Sequence, residues 1–329
     1  VGQALERANA LECAGAWEAA AAIYQRLFQD TLTASNSSGI VDALYGQTRA
    51  YDALGRYEEA EELAGLCGEI AERSGSLRMS ARALNLFAVI RFRRGDLDGA
   101  AAAYTRAVER ARDIGDDELV GFASQNLGVI ANIRGDLKEA RLLYLESVGA
   151  SVRSGDRMSA AMVYNNLGMV CTDLGEHLQA EMYFDRGIEI AERIADVPMQ
   201  ARLYANRAEP MIRTGDPARA RETLDVAESL VAPLQVPSTA ADIERFRAML
   251  ARGAGDLDEA ERRLERSIRI AREAGISLAH AEALEELALV RRERGQPHDA
   301  DAVLTEARDI YLAIGAVRDA ERVLSLHSD

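Results

Sequence analysis

Cysteine is scarce: Cys13, Cys67 and Cys171 are the only three in 329 residues. An odd, widely separated set excludes a disulfide framework and fits a reducing, cytoplasmic compartment. Histidine is as rare. His177, His280, His298 and His327 form no ligand pair one helical turn apart, and none has a cysteine at metal spacing. Asp96/Asp98 and Asp116-Asp117-Glu118 match no calcium loop and read as acids at helix starts. The glycines never cluster as a phosphate cradle does. No metal or other cofactor is expected, and no residue set nominates a nucleophile with its base, so the chain reads as not an enzyme. No apolar run approaches the length of a membrane span. Positive charge is short as well, 39 Lys+Arg against 54 Asp+Glu for a net charge of −15, which argues against sequence-independent binding to nucleic acid or an anionic membrane. No signal peptide is visible, and a first residue of Val fits a piece cut from something longer.

What is abundant is regularity. Glycine recurs every forty residues at Gly15, Gly55, Gly95, Gly135, Gly175, Gly215, Gly255 and Gly295, each with an alanine five residues later, Ala20 through Ala300. A fixed period of this size is the signature of stacked structural repeats. Around Gly95, apolar residues at Leu84, Phe87, Ala88 and Ile90, then Leu97, Ala100, Tyr104, Ala107, Val108, Ala111 and Ile114, follow the 3.6-residue period of two amphipathic helices. Gly95 is expected to end the first helix in a left-handed conformation, and Asp96 to cap the second. Asp136 with Glu139 and Asp256 with Glu259 read as capping boxes. Pro217 and Pro297 fall at first helical positions, where a missing N–H costs nothing. The small residue eight positions into a unit (Ala88, Gly128, Gly168, Ala208, Ala248, Ala288) lets the paired helices approach, and Tyr24, Tyr104, Tyr144 and Phe184 fill the space beside them.

This pattern, with its small residue at position 8, Gly at 15, Ala at 20 and aromatic at 24, resembles the tetratricopeptide repeat (TPR). The likeness covers all eight units. The unit is forty residues, not thirty-four, and the usual closing proline is absent. A later glycine (Gly75, Gly115, Gly155, Gly275, Gly315) takes its place, as in the long-repeat subgroup with kinesin light chain and bacterial signalling regulators. The resemblance implies an all-α, right-handed α-solenoid of eight helix–turn–helix repeats, 1–40, 41–80, 81–120, 121–160, 161–200, 201–240, 241–280 and 281–320. A C-terminal capping helix follows, whose end and tail occupy 321–329.

Irregularities are few. Trp17, the lone tryptophan, reads as a core plug. The Ser/Thr/Asn-rich segment 29–39 suggests an early end to the second helix of the first unit. Pro210, inside a helix, should remove a backbone bond and bend it near Asn206. Pro233 and Pro237, near the end of a second helix, mark 231–239 as a candidate hinge. Cys67 and His177 sit in core-facing slots, His177 as a satisfied, partly buried side chain. Arg94 and Arg134 are expected at helix C-terminal carbonyls.

In proteins of this family the first helix of each repeat lines a concave surface. The resemblance places Asn126, Asn166 and Asn206 there at position 6, and Asn85, Gln125 and Asn165 at position 5. Asn165-Asn166 looks like the asparagine ladder that holds an extended peptide in kinesin light chain. An amide supplies both donor and acceptor, so it can pair with a peptide bond whatever side chain the peptide carries. Arg82, Arg93, Arg202 and Arg213 could take a carboxylate or phosphate, and Phe122, Met162 and Met169 could supply apolar pockets. The expected function is a non-catalytic scaffold for a protein or peptide ligand. The alternatives are a sensor or regulatory region of a larger bacterial signalling or transcription regulator, and a self-assembly module pairing through its end repeats.

Overall fold

The computed structural model describes residues 1–326, among which there are seventeen α-helices and no strand. The chain divides into two compact units, Val1–Leu127 and Gly128 onward. The first holds α1 (Gly2–Cys13), α2 (Trp17–Thr33), α3 (Ser37–Ala53), α4 (Tyr57–Arg73), α5 (Leu77–Arg93), α6 (Leu97–Asp113) and the start of α7 (Asp117–Ile133). The second holds the end of α7, then α8 (Leu137–Ser154), α9 (Arg157–Asp173), α10 (His177–Arg193), α11 (Val197–Arg213) and α12 (Pro217–Val231). It continues with α13 (Pro237–Gly253), α14 (Leu257–Glu273), α15 (Ser277–Glu293), α16 (Pro297–Ala313) and α17 (Val317–Leu326). Within the second unit each helix from α8 to α17 packs on the next, and α9, α11, α13 and α15 also touch in sequence. Odd-numbered helices therefore make one layer and even-numbered helices the other. His327 and the rest of 327–329 lie outside the described residues.

The turns explain the period. Gly95 has φ +81°, a conformation that costs a side chain about 1–2 kcal/mol. The Asp96 N–H donates back to the Arg91 carbonyl at 3.0 Å, and the Asp96 carboxylate accepts from the Gly99 N–H at 2.8 Å. Asp136 and Asp256 cap α8 and α14 in the same way. The reciprocal half of a capping box does not form, because each aspartate N–H already donates to a carbonyl of the preceding helix (Ala131, Ala251). Close approach accounts for the small residues: a Cβ on Gly168 would stand 2.5 Å from the Phe184 ring, and one on Gly128 would stand 2.6 Å from Tyr144.

Several expectations are corrected. The polar segment does not shorten α2, which runs to Thr33. The Thr31 and Thr33 hydroxyls donate to carbonyls of their own helix, Ser35 takes the left-handed position at φ +53°, and Asn36 caps α3. Trp17 is half-buried, not a core plug. Pro237 opens α13. The five-residue connection 232–236 before it is the longest between described helices. Pro210 lies inside α11 as the sequence placed it, and its ring is buried. Cys67 is buried and His177 partly buried, both as expected, but the His177 Nδ1 has no hydrogen-bond partner among the described residues. Arg94 turns from the helix end to ion-pair with Glu61 of α4.

Candidate functional site

The expected binding residues all lie on odd-numbered helices, and the two units hold different subsets. In the first unit, Arg82 and Asn85 are half-buried on α5, and the Asn85 Oδ1 is enclosed without a hydrogen-bond partner. Arg93 is committed to Asp52 of α3 at 3.1 Å. On α7, Phe122 is 46% exposed, Gln125 and Asn126 are half-buried, and the Asn126 Nδ2 donates to the Phe122 carbonyl one turn earlier at 3.1 Å.

In the second unit the ladder is broken. Asn165 and Asn206 are buried, and the Asn206 Nδ2 donates to the Asn165 Oδ1 at 2.9 Å, tying α11 to α9. The Asn165 Nδ2 in turn donates to the Met169 sulfur at 3.4 Å. That bond and their burial commit the Asn165 oxygen and both Nδ2 donors within the chain, leaving these two amides little water contact. Asn166, one residue along, points elsewhere. It is half-buried and makes no side-chain hydrogen bond among the described residues. Met169 is 39% exposed, while Met162 packs partly into the cluster around Phe184 and Leu203. Arg202 is half-buried with no ion pair among the described residues, although its charge acts on Asp242 of α13, whereas Arg213 is held by Glu209 of its own helix at 2.6 Å.

Further along the same face the chemistry changes. Arg245 on α13 bridges Asp242 at 3.6 Å and Glu282 on α15 at 3.1 Å, and Arg252 reaches Glu286 at 3.3 Å and Glu293 at 2.9 Å. Loss of water, reinforced by the nearby carboxylates of Asp242 and Glu209, pushes the Glu282 carboxyl up to about 7 despite Arg245. Helix α17 joins this wall. Arg322 pairs with Glu285, which also accepts from the Tyr311 hydroxyl at 3.1 Å. Arg318 crosses to Asp173, the last residue of α9, at 3.0 Å, and a Cβ on Gly135 would meet the Arg318 side chain at 2.9 Å. Sequence reasoning passed over this network. Its signal was there: charged residues recur at corresponding positions of consecutive repeats, Asp242 with Glu282 and Arg245 with Glu285, so that the one arginine stands among carboxylates.

A shallow cleft in the first unit was also missed. It lies between α4 and α5, is lined by Glu62, Gly65, Leu66, Glu69, Phe87 and Arg91, and was foreshadowed by a glycine at position 65 of an outer helix. Burial raises the Cys67 thiol to about 12 and the Cys171 thiol to about 11, so neither is a ready thiolate. No group of three His, Cys, Asp or Glu side chains among the described residues is arranged to hold a metal ion. No described helix is long and apolar enough to cross a membrane.

No curated protein sequence matches the chain. Among solved structures, the apo form of the quorum sensor NprR from B. thuringiensis superposes with a TM-score of 0.70 at 15% identity, covering 94% of this chain and 86% of that one. NprR in complex with its cognate peptide NprX gives 0.61 at 13% identity and covers 84% of each chain. A STAND (signal transduction ATPase with numerous domains) protein with a tetratricopeptide repeat sensor, from Pyrococcus horikoshii, gives 0.63 at 17% identity over 90% of this chain and 45% of that one. A family model described as tetratricopeptide repeat matches residues 79–150, 159–230 and 239–313, and the chain belongs to that family.

Proposed function

We propose that the chain is a non-catalytic interaction scaffold that takes an extended protein or peptide segment against its odd-numbered helices. The observation that carries this reading is the uncommitted chemistry of α9 and α11. Asn166 offers an unbonded amide beside the exposed Met169 thioether, and Arg202 brings an unpaired guanidinium on the next helix of the layer. An amide suits a peptide backbone, a thioether an apolar side chain, and a guanidinium a carboxylate. In the first unit, Arg82 on α5 and the exposed Phe122 on α7 supply a guanidinium and an apolar side chain. Likeness to a peptide-bound NprR structure supports the choice of ligand class.

A second reading, a sensor region of a larger signalling protein, draws on the match to less than half of the Pyrococcus horikoshii protein. On that reading the same face receives the signal. Selection from a display library of random short peptides tests the scaffold. Peptides captured by the intact chain should be lost by Asn166→Ala/Arg202→Ala, which leaves the buried Asn165–Asn206 bond in place. Undiminished capture by that double variant would count against this face.

A further inference from the structure

We propose that the outer face of α8 and α10 is a docking surface for a second copy of this chain, set about a two-fold axis that lays α8 of one copy along α10 of the other. This is independent of ligand binding on the odd-numbered helices. Leu142, Leu145 and Val152 form one exposed stripe on α8, and Leu178 and Met182 one on α10, with Leu178 81%, Met182 67% and Leu142 60% exposed. The repeat supplies its own control. Positions corresponding to Leu142 and Met182 hold Glu62, Ala102, Glu222 and Arg262, and those corresponding to Leu178 hold Glu58, Asp98 and Asp258. Other even-numbered helices expose single large apolar residues, Leu32, Leu66, Val226 and Leu312, whereas α8 and α10 gather five, and an apolar patch rimmed by polar residues marks an interaction site. Leu143 of α8 and Tyr183 of α10 lie half-buried against one shared core cluster.

Two features favour a second copy as the occupant. The first is charge. Helix α8 carries Lys138, Arg141 and Arg153 against Glu139 and Glu146, whereas α10 carries Arg186 and Arg193 against four carboxylates. Two chains of net charge −15 repel over most of their surfaces, and this crossed pairing brings the exposed cation Lys138 against a helix with four carboxylates. Lys138, the only lysine in the sequence, stands at the open end of the stripe. The second feature is size. Two helices roughly 26 Å long and about 10 Å across offer roughly 500 Å² per copy, or about 1,000 Å² in a dimer, the lower edge of a specific interface.

Sedimentation equilibrium over a concentration series reads the outcome. The intact chain should fit a monomer–dimer equilibrium, and Leu142→Glu/Met182→Glu should weaken it by about tenfold or more. Leu66→Glu, on the exposed face of α4, should leave it unchanged. Leu178→Gln, at the most exposed of these positions, gives the same reading with a milder change, and circular dichroism checks that each variant keeps its helices. A monomer at every concentration overturns the proposal, even if that monomer captures some other helix on this face. A dimer indifferent to both α8/α10 variants overturns it equally.

Discussion

The α9–α11 face and the α13–α15 face are built from the same positions of the same repeat, yet one is left open and the other closes on itself. On α13 and α15 nearly every polar side chain at those positions answers another, as Arg245 does Glu282 and Arg252 does Glu286. On α9 and α11 one amide pair is satisfied, Asn165 with Asn206, and its neighbours Asn166 and Arg202 keep their capacity. The backbone is common to both, so binding capacity on this scaffold is a matter of which side chains remain unanswered.

The largest test of that contrast is Arg245→Ala. It strands the carboxylates of Asp242 and Glu282 and should cost about 3 kcal/mol in urea unfolding. Next, Asn206→Ala leaves a buried Asn165 oxygen without its donor and should cost about 1–3 kcal/mol, against within about 0.5 kcal/mol for Asn166→Ala. Equal losses for the two asparagines would erase the distinction between committed and free amides. The third test is pH. Because the Glu282 carboxyl is raised to about 7, the folded state binds more protons than the unfolded state between the ordinary glutamate value and about 7. Its stability contribution is therefore full at acid pH and falls, by on the order of 1–2 kcal/mol, as pH rises through that window. Melting temperatures of Glu282→Gln across the same range should be flatter than those of the intact chain.

Much of the fold was legible because each helix ending leaves a residue-specific mark. A left-handed turn asks for glycine and an N-terminus for aspartate, so Gly95-Asp96 fixes the phase of its unit unaided. Ser35 and Ala195, left-handed at φ +53° and +56°, show where the mark fails: tertiary packing holds the turn without the residue that favours it. The site was less legible. An asparagine on a helix face has the same chemistry whether it meets a peptide or another asparagine, so Asn165 and Asn166 read alike in sequence and part ways only in three dimensions. Arg318 and Asp173 are 145 residues apart, and no local pattern connects them.

That last contact changes how the second unit should come apart. A row of repeats touching only their neighbours can fray from its free end one hairpin at a time. With Arg318 clasped to the end of α9, lifting α17 away also breaks a contact with a repeat far upstream. Helix α17 is thereby tied to the middle of the second unit as well as to its neighbour α16.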